Sequence, residues 1–319
     1  MNYYFAPLEG VTGWFFRQTH HACFQPMDKY FSPFLSPNRE TVLTDREKND
    51  ILPEHNQGLV LVPQLLTNRA EDFIRAARLL QEYGYREINL NLGCPSGTVV
   101  SKFRGAGFLS KPQELNNFLD EIFYYLDVRI SVKTRIGKNS PEEFAGLLEI
   151  FNCYPLEELI IHPRIQQDQY RNHPNLSVFR EALAGSRNPV CYNGDLFTAK
   201  DCQDFSAAFP TVETLMLGRG LIANPALIRE LKGGKRLEKA DLRDFLDRLF
   251  TGYRELLYGD RAVLSKMKEL WHYMICLFEE PAPYAKKIRK AQTALDYQDA
   301  VNALLRDREL ISGGGYLPG

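Results

Sequence analysis

The sequence predicts an α/β protein: a (β/α)8 TIM barrel followed by a small C-terminal helical bundle. Three observations carry that expectation. Eight short β-rich runs alternate with segments of helical period. Each run is followed by a helix pattern or by a loop long enough to hold one, which suits a closed barrel better than an open sheet with its strand-order reversal. After "IANPALIRELKGGKR" the alternation stops and only helical patterning remains. The 319 residues, 44% hydrophobic and 25% charged, suffice for a barrel plus an appendage.

In chain order the expected strands are "NYYFAP", "DKYFSPF", "LVLVPQLL", "REINLNLG", "RISVKTR", "EELIIHPR", "NPVCYNG" and "ETLMLGRG". Between them, Phe73, Ala76, Ala77 and Leu80 recur at helical spacing, as do Leu115, Phe118, Leu119, Ile122, Phe123 and Leu126. The second unit has the poorest helical pattern. Gly233-Gly234 reads as the hinge, dividing a barrel domain over 1–234 from a helical domain over 235–319. In the latter, Leu242, Phe245, Leu246, Leu249, Phe250, Tyr253 and Leu257 form one stripe, and Val263, Met267, Leu270, Trp271, Met274 and Phe278 another. The tail "SGGGYLPG" is expected to fray.

A net charge of -1 exerts no global pull on nucleic acid, so a polyanion-binding surface has to be a local patch. Cys23, Cys94, Cys153, Cys191, Cys202 and Cys276 include no CxxC pair, which argues against a metal site or a disulfide framework. No run of about 18 apolar residues suggests a membrane span, and the N-terminus has no secretory pattern. The expectation is a reduced, soluble, cytoplasmic monomer.

Chemistry in such barrels sits at the carboxyl ends of the strands. Polar residues cluster at nearly every one: Gln64 on the third, Asn91 and Cys94 on the fourth, Lys133 and Arg135 on the fifth, His162 and Arg164 on the sixth. "NGD" (Asn193, Gly194, Asp195) and "GRG" (Gly218, Arg219, Gly220) end the seventh and eighth. Singly, Gln64 reads as a satisfied core amide, Lys133 as a lysine paired to a carboxylate, His162 as structural, and the glycine runs as turns. Jointly they point to a site. The last two motifs stand where barrels bind phosphate, with Arg219 able to bridge its oxygens.

"APLEGVTG", "NLGCPSGTVVSKFRGAGFL", "KTR", "IHPR", "NGD" and "GRG", in this order and at these strand ends, resemble the tRNA-dihydrouridine synthases over essentially the whole chain. The likeness departs from the family at Leu8, where methionine is usual, and at Pro163, where a small residue is common. It implies an FMN-dependent reduction of the C5–C6 double bond of particular uridines in tRNA, with NADPH as electron donor. It implies that Ala6, Pro7 and Leu8 support the isoalloxazine ring and that Gln64 and Lys133 bind its polar edges. His162 serves the ribityl or phosphate side, and Asn193, Gly194, Asp195, Gly218, Arg219 and Gly220 the phosphate. Cys94 is the implied proton donor to uracil C5, since a thiol of pKa about 8.5 is mostly protonated at neutral pH. Asn91 orients the uracil or the flavin.

The implied tRNA contacts are Lys102, Arg104, Arg135, Arg164 and Tyr170 around the mouth, and Lys266, Lys286, Lys287, Arg289 and Lys290 on the helical domain. Two other readings compete. One is an FMN barrel reducing a small molecule, of dihydroorotate dehydrogenase or ene-reductase type. The other is a tRNA-binding protein without chemistry.

Overall fold

The structure, a computed structural model, describes residues 1–24 and 27–318. By packing they form two compact units. The first comprises Met1–Pro7, Asp28–Asp195 and Thr211–Met216; the second comprises Leu8–Met27, Leu196–Pro210 and Leu217–Gly319.

The first unit is built on nine parallel strands: β1 Asn2–Phe5, β2 Lys29–Phe31, β3 Leu61–Val62, β4 Gln64–Leu65, β5 Glu87–Leu92, β6 Arg129–Arg135, β7 Leu159–His162, β8 Val190–Tyr192 and β9 Thr214–Leu217. Their order in the sheet is β3-β2-β1-β9-β8-β7-β6-β5-β4. The two end strands are consecutive in sequence, separated only by Pro63. The run "LVLVPQLL" therefore pairs with β2 through its first half and with β5 through its second, which closes an eight-membered barrel. Proline has no N–H to give the ladder, so the run is divided there. The Pro63 carbonyl still accepts from Asn89 N at 2.9 Å. All eight expected runs lie on these strands.

Helices follow in the order α1 Trp14–Cys23, α2 Asp45–Ile51, α3 Ala70–Glu82, α4 Gly97–Val100, α5 Pro112–Tyr125, α6 Glu143–Phe151, α7 Leu176–Gly185, α8 Ala199–Ala208, α9 Arg219–Ala223, α10 Leu227–Leu231, α11 Lys239–Leu256, α12 Asp260–Met274, α13 Ala282–Lys290 and α14 Ala294–Asp307. The expected stripes on α3 and α5 are buried, except Phe123, which is half-buried. The short α2 owes its start to a Thr44–Glu47 capping box rather than to an apolar face.

In the second unit the stripes of α11 and α12 are buried as the periodicity requires, except Leu257, which lies past the end of α11 and is half-buried; each buried large apolar side chain contributes about 1.5–3 kcal/mol. Helix α1 lies against α11 with Phe16 edge-on to Phe245 at 5.7 Å. A Cβ at position 252 would sit 1.9 Å from the Phe15 ring, so only glycine permits this approach. As far as Tyr316 the tail is packed rather than frayed; Gly319 lies outside the described residues. Tyr316 packs on Phe197 at 5.3 Å and on Tyr273 at 5.5 Å, and Gly315 is buried where a Cβ would meet the Phe197 carbonyl at 2.2 Å. Aromatic burial outweighs the entropy that three glycines were expected to keep.

Candidate active site

Along β5 the side chains of Glu87, Asn89 and Asn91 fall on one face, because strand side chains alternate. The register sets Asn89 beside Gln64 on β4 and Ser131 on β6, and sets Asn91 beside Lys133. Gln64 is fully buried; its Nε2 donates to Asn89 Oδ1 at 2.8 Å and its Oε1 accepts from Asn91 Nδ2 at 2.7 Å. Asn91 Oδ1 in turn accepts from the backbone N–H of Gly93 at 3.0 Å and of Cys94 at 2.9 Å. The Cys94 loop therefore hangs from a buried amide on its own strand.

The glycines of that loop are fixed by close approach. Gly105, at φ +54°, brings the chain back until Ala106 N donates to the Cys94 carbonyl at 3.1 Å, and a Cβ at 105 would lie 2.8 Å from that oxygen. A Cβ at 107 would lie 2.7 Å from the Val100 carbonyl. The thiol is partly exposed at the strand end. Lys102 is exposed and Arg104 half-buried on the same loop.

Lys133 is half-buried and makes no ion pair or hydrogen bond with any described residue. Burial, and then the Arg135 guanidinium, pull its pKa down to about 8, with Cys191 and Cys94 opposing. The carboxylate partner that a structural lysine would need is missing. His162, opposite Arg135 in register, is held well below the ordinary imidazole pKa by burial and then by Arg135, Lys133 and Arg164. Its Nε2 lies 3.2 Å from Arg164 Nη1, and a guanidinium can only donate, so this nitrogen accepts and the proton sits on Nδ1.

The two arginines expected at RNA are instead 2% exposed and tied to protein. Arg135 donates from Nε to the Gly93 carbonyl at 3.0 Å, from Nη1 to Ile165 O at 2.8 Å and from Nη2 to Gln169 O at 2.7 Å. It joins the Cys94 loop to the loop after β7, which also reaches Pro95 O through Gln166 Nε2 at 3.1 Å. Arg164 forms a bidentate pair with Asp195 and donates to the Asn172 carbonyl. An RNA contact from either requires breaking these bonds. The Asp195 carboxylate likewise faces a guanidinium, leaving only its backbone for a phosphate. Tyr170 is 52% exposed, with Arg135 over its ring at 5.4 Å and His162 edge-on at 6.1 Å. Ala6 and Asn193 are buried and Pro7 and Gly194 half-buried at the ends of β1 and β8; Asn193 Nδ2 donates to Met216 O at 2.8 Å.

The second unit carries the remaining expected residues. Arg219, between Gly218 and Gly220, is sandwiched by Phe197 at 5.0 Å and Tyr316 at 5.2 Å. A Cβ at 220 would lie 2.3 Å from the Leu196 carbonyl. Leu8 N donates to Thr12 Oγ1 at 2.8 Å, tying down the turn that starts α1. Lys266 donates to the Gly10 carbonyl and is occupied there. Lys286, Lys287, Arg289 and Lys290 are all exposed on α13, and none is in an ion pair with a described residue.

A family model described as dihydrouridine synthase matches residues 4–304. The chain belongs to the dihydrouridine synthase family. It is an enzyme, a flavin-dependent oxidoreductase. Similar proteins include tRNA-dihydrouridine synthase B of Pasteurella multocida, 26% identical over 72% of this chain and 68% of that protein. That of Serratia marcescens is 28% identical over 80% of this chain and 76% of its own. The fold is shared with morphinone reductase in complex with tetrahydroNAD, at TM-score 0.51 and 14% identity over 75% of this chain and 88% of that one. It is shared also with 2-naphthoyl-CoA reductase, at TM-score 0.57 and 11% identity over 73% and 50%.

Within this dihydrouridine synthase, sequence reasoning overlooked Glu87, Asn89, Ser131, Lys29 and Glu158, all inside the barrel. The signal was present: in "EINLNL" polar residues occupy every second position, marking a polar interior face. Among the described residues no helix is long and apolar enough to cross a membrane, and no group of three or more His, Cys, Asp or Glu could hold a metal ion.

Proposed function

We propose that the chain reduces the C5–C6 double bond of particular uridines in tRNA, with FMN bound in a barrel domain over 1–234, NADPH as electron donor, and tRNA held by a helical domain over 235–319. The observation that carries this reading is the unpartnered Lys133 ammonium, set beside Asn91 in register and electrostatically coupled to Cys94. A cation desolvated without a counter-charge favours an anionic group brought from outside. The surrounding set suits a flavin: a cation for its electron-rich edge, fixed amides at Gln64 and Asn91, and a neutral His162 hydrogen-bonded to Asn193.

Ala6, Pro7, Leu8, Gln64, Lys133 and His162 would hold the ring and its chain. Asn193, Gly194, Gly218, Arg219 and Gly220, with the backbone of Asp195, would hold the phosphate. When bound, the flavin would supply the reducing equivalents for the C5–C6 bond. Cys94 then gives C5 its proton from a loop whose amides are pinned by Asn91. A uridine stacked in folded tRNA has to be extruded to reach the strand ends. Lys102, Arg104 and Tyr170, on the loops after β5 and β7, would meet it.

The direct test is Cys94→Ala, which should keep FMN bound while losing about 10²–10⁴-fold in turnover on unmodified tRNA. Mapping dihydrouridine in tRNA from cells lacking the gene should show a lost position. Activity on free uracil or orotate but not tRNA would move the reading to a small-molecule reductase. Replacing Lys286, Lys287, Arg289 and Lys290 by alanine should weaken tRNA binding and flatten its salt dependence by up to about four charges' worth of slope. An unchanged slope removes α13 from the interface.

A further inference from the structure

Five side chains and one loop form a single hydrogen-bonded line through the barrel of the first unit. Cys94 N and Gly93 N donate to Asn91 Oδ1, Asn91 Nδ2 donates to Gln64 Oε1, and Gln64 Nε2 donates to Asn89 Oδ1. Asn89 Nδ2 donates to Ser131 Oγ at 3.0 Å, and Ser131 Oγ donates to Glu87 Oε1 at 2.9 Å. Every bond runs the same way. Asn89, Ser131 and Gln64 are wholly buried, and Glu87 is 5% exposed. Amide orientation is a matter of which neighbour donates. Here both ends impose one answer: two backbone N–H groups at the top can only donate, and the carboxylate at the bottom can only accept. Lys29 Nζ, 2.7 Å from the other Glu87 oxygen, holds that carboxylate in place.

We infer that Glu87 is a positioning residue for the Cys94 loop, acting from the opposite end of β5 by fixing the polarity of this line. Its bearing on catalysis rests on the reading under "Proposed function"; its bearing on the loop does not. In Glu87→Gln, Lys29 claims the new amide's oxygen, which leaves the NH2 facing Ser131. Ser131 Oγ then either accepts from both amides and leaves its own buried proton without an acceptor, or donates upward so that each amide above it turns over and Asn91 ends with its NH2 against the N–H groups of Gly93 and Cys94; either way the line loses its fixed polarity.

Hydrogen exchange in the purified protein, read at the Gly93 and Cys94 amides, tests this. Glu87→Gln should speed exchange there at least tenfold while leaving α11 amides unchanged. It should slow single-turnover reduction of tRNA at least tenfold at unchanged flavin content. K29M/E87Q, in which the amide is free to turn its oxygen to Ser131, should bring both readouts within threefold of wild type. Ser131→Ala cuts the line without touching the ion pair; it should shift both readouts in the same direction, and it decides the matter if Glu87→Gln does not fold. Exchange at Gly93 and Cys94 within twofold of wild type in a folded Glu87→Gln protein or in Ser131→Ala overturns the inference, as does a folded double variant that still exchanges tenfold fast. Wild-type protein that protects these amides yet never reduces tRNA overturns the functional reading and leaves the positioning role standing.

Discussion

The barrel interior of the first unit is polar at both ends of β5, and the two ends treat charge in opposite ways. At the start of the strand, Lys29 and Glu87 form a 2.7 Å pair, and buried Glu158 and Tyr4 lie within electrostatic reach. Lys29 and Glu87 answer one another inside the protein, and burial favours the neutral form of Glu158. At the end of the strand, Lys133, Arg135 and neutral His162 gather without a carboxylate on Lys133. Compensated polarity belongs to the fold; uncompensated polarity of one sign is the mark of a site awaiting a ligand.

Removing one partner from the compensated end should give the largest loss of stability. Lys29→Met leaves Glu87 buried and unanswered and should cost about 3–5 kcal/mol in denaturant titration, whereas the neutral pair K29M/E87Q should lie close to wild type. Next comes Glu158, whose carboxyl burial holds up to about 7 against the ordinary 4.5, with Lys29 opposing. The native state keeps that proton where the unfolded chain has lost it. Wild-type stability therefore falls as pH rises from about 4.5 to about 7 and levels off above. Glu158→Gln should lose this slope, gaining up to about 3 kcal/mol on wild type between pH 4 and pH 8.

The smallest effect is expected at the uncompensated end. Lys133 is depressed to about 8 by burial, so its ionised form penalises the fold fully below that pH and the penalty disappears as pH rises from about 8 to 10.5. Lys133→Met should stabilise the flavin-free protein at pH 7 by about 1–2 kcal/mol after discounting for partial exposure, while weakening flavin binding. A destabilised Lys133→Met would erase the contrast between the two ends.

Much of this was legible in the sequence, for a physical reason. Parallel strands buried on both faces read as short apolar runs, and chemistry collects where they end, so the eight runs and the residues at their tips stood out. What stayed hidden depends on pairing across strands. Nothing in "RISVKTR" says that Ser131 lies between Asn89 and Glu87, or that Arg135 would be drawn to three carbonyls rather than to RNA. The frayed-tail expectation failed likewise, because glycine content was visible and the aromatic cleft receiving Tyr316 was not.

That tail has a consequence in time. Tyr316 follows Arg219 by roughly a hundred residues, so at the ribosome's pace of about 5–20 residues per second the guanidinium waits on the order of ten seconds for its second aromatic plate. A stop codon a few positions early would spare every barrel strand and still leave that corner unfinished.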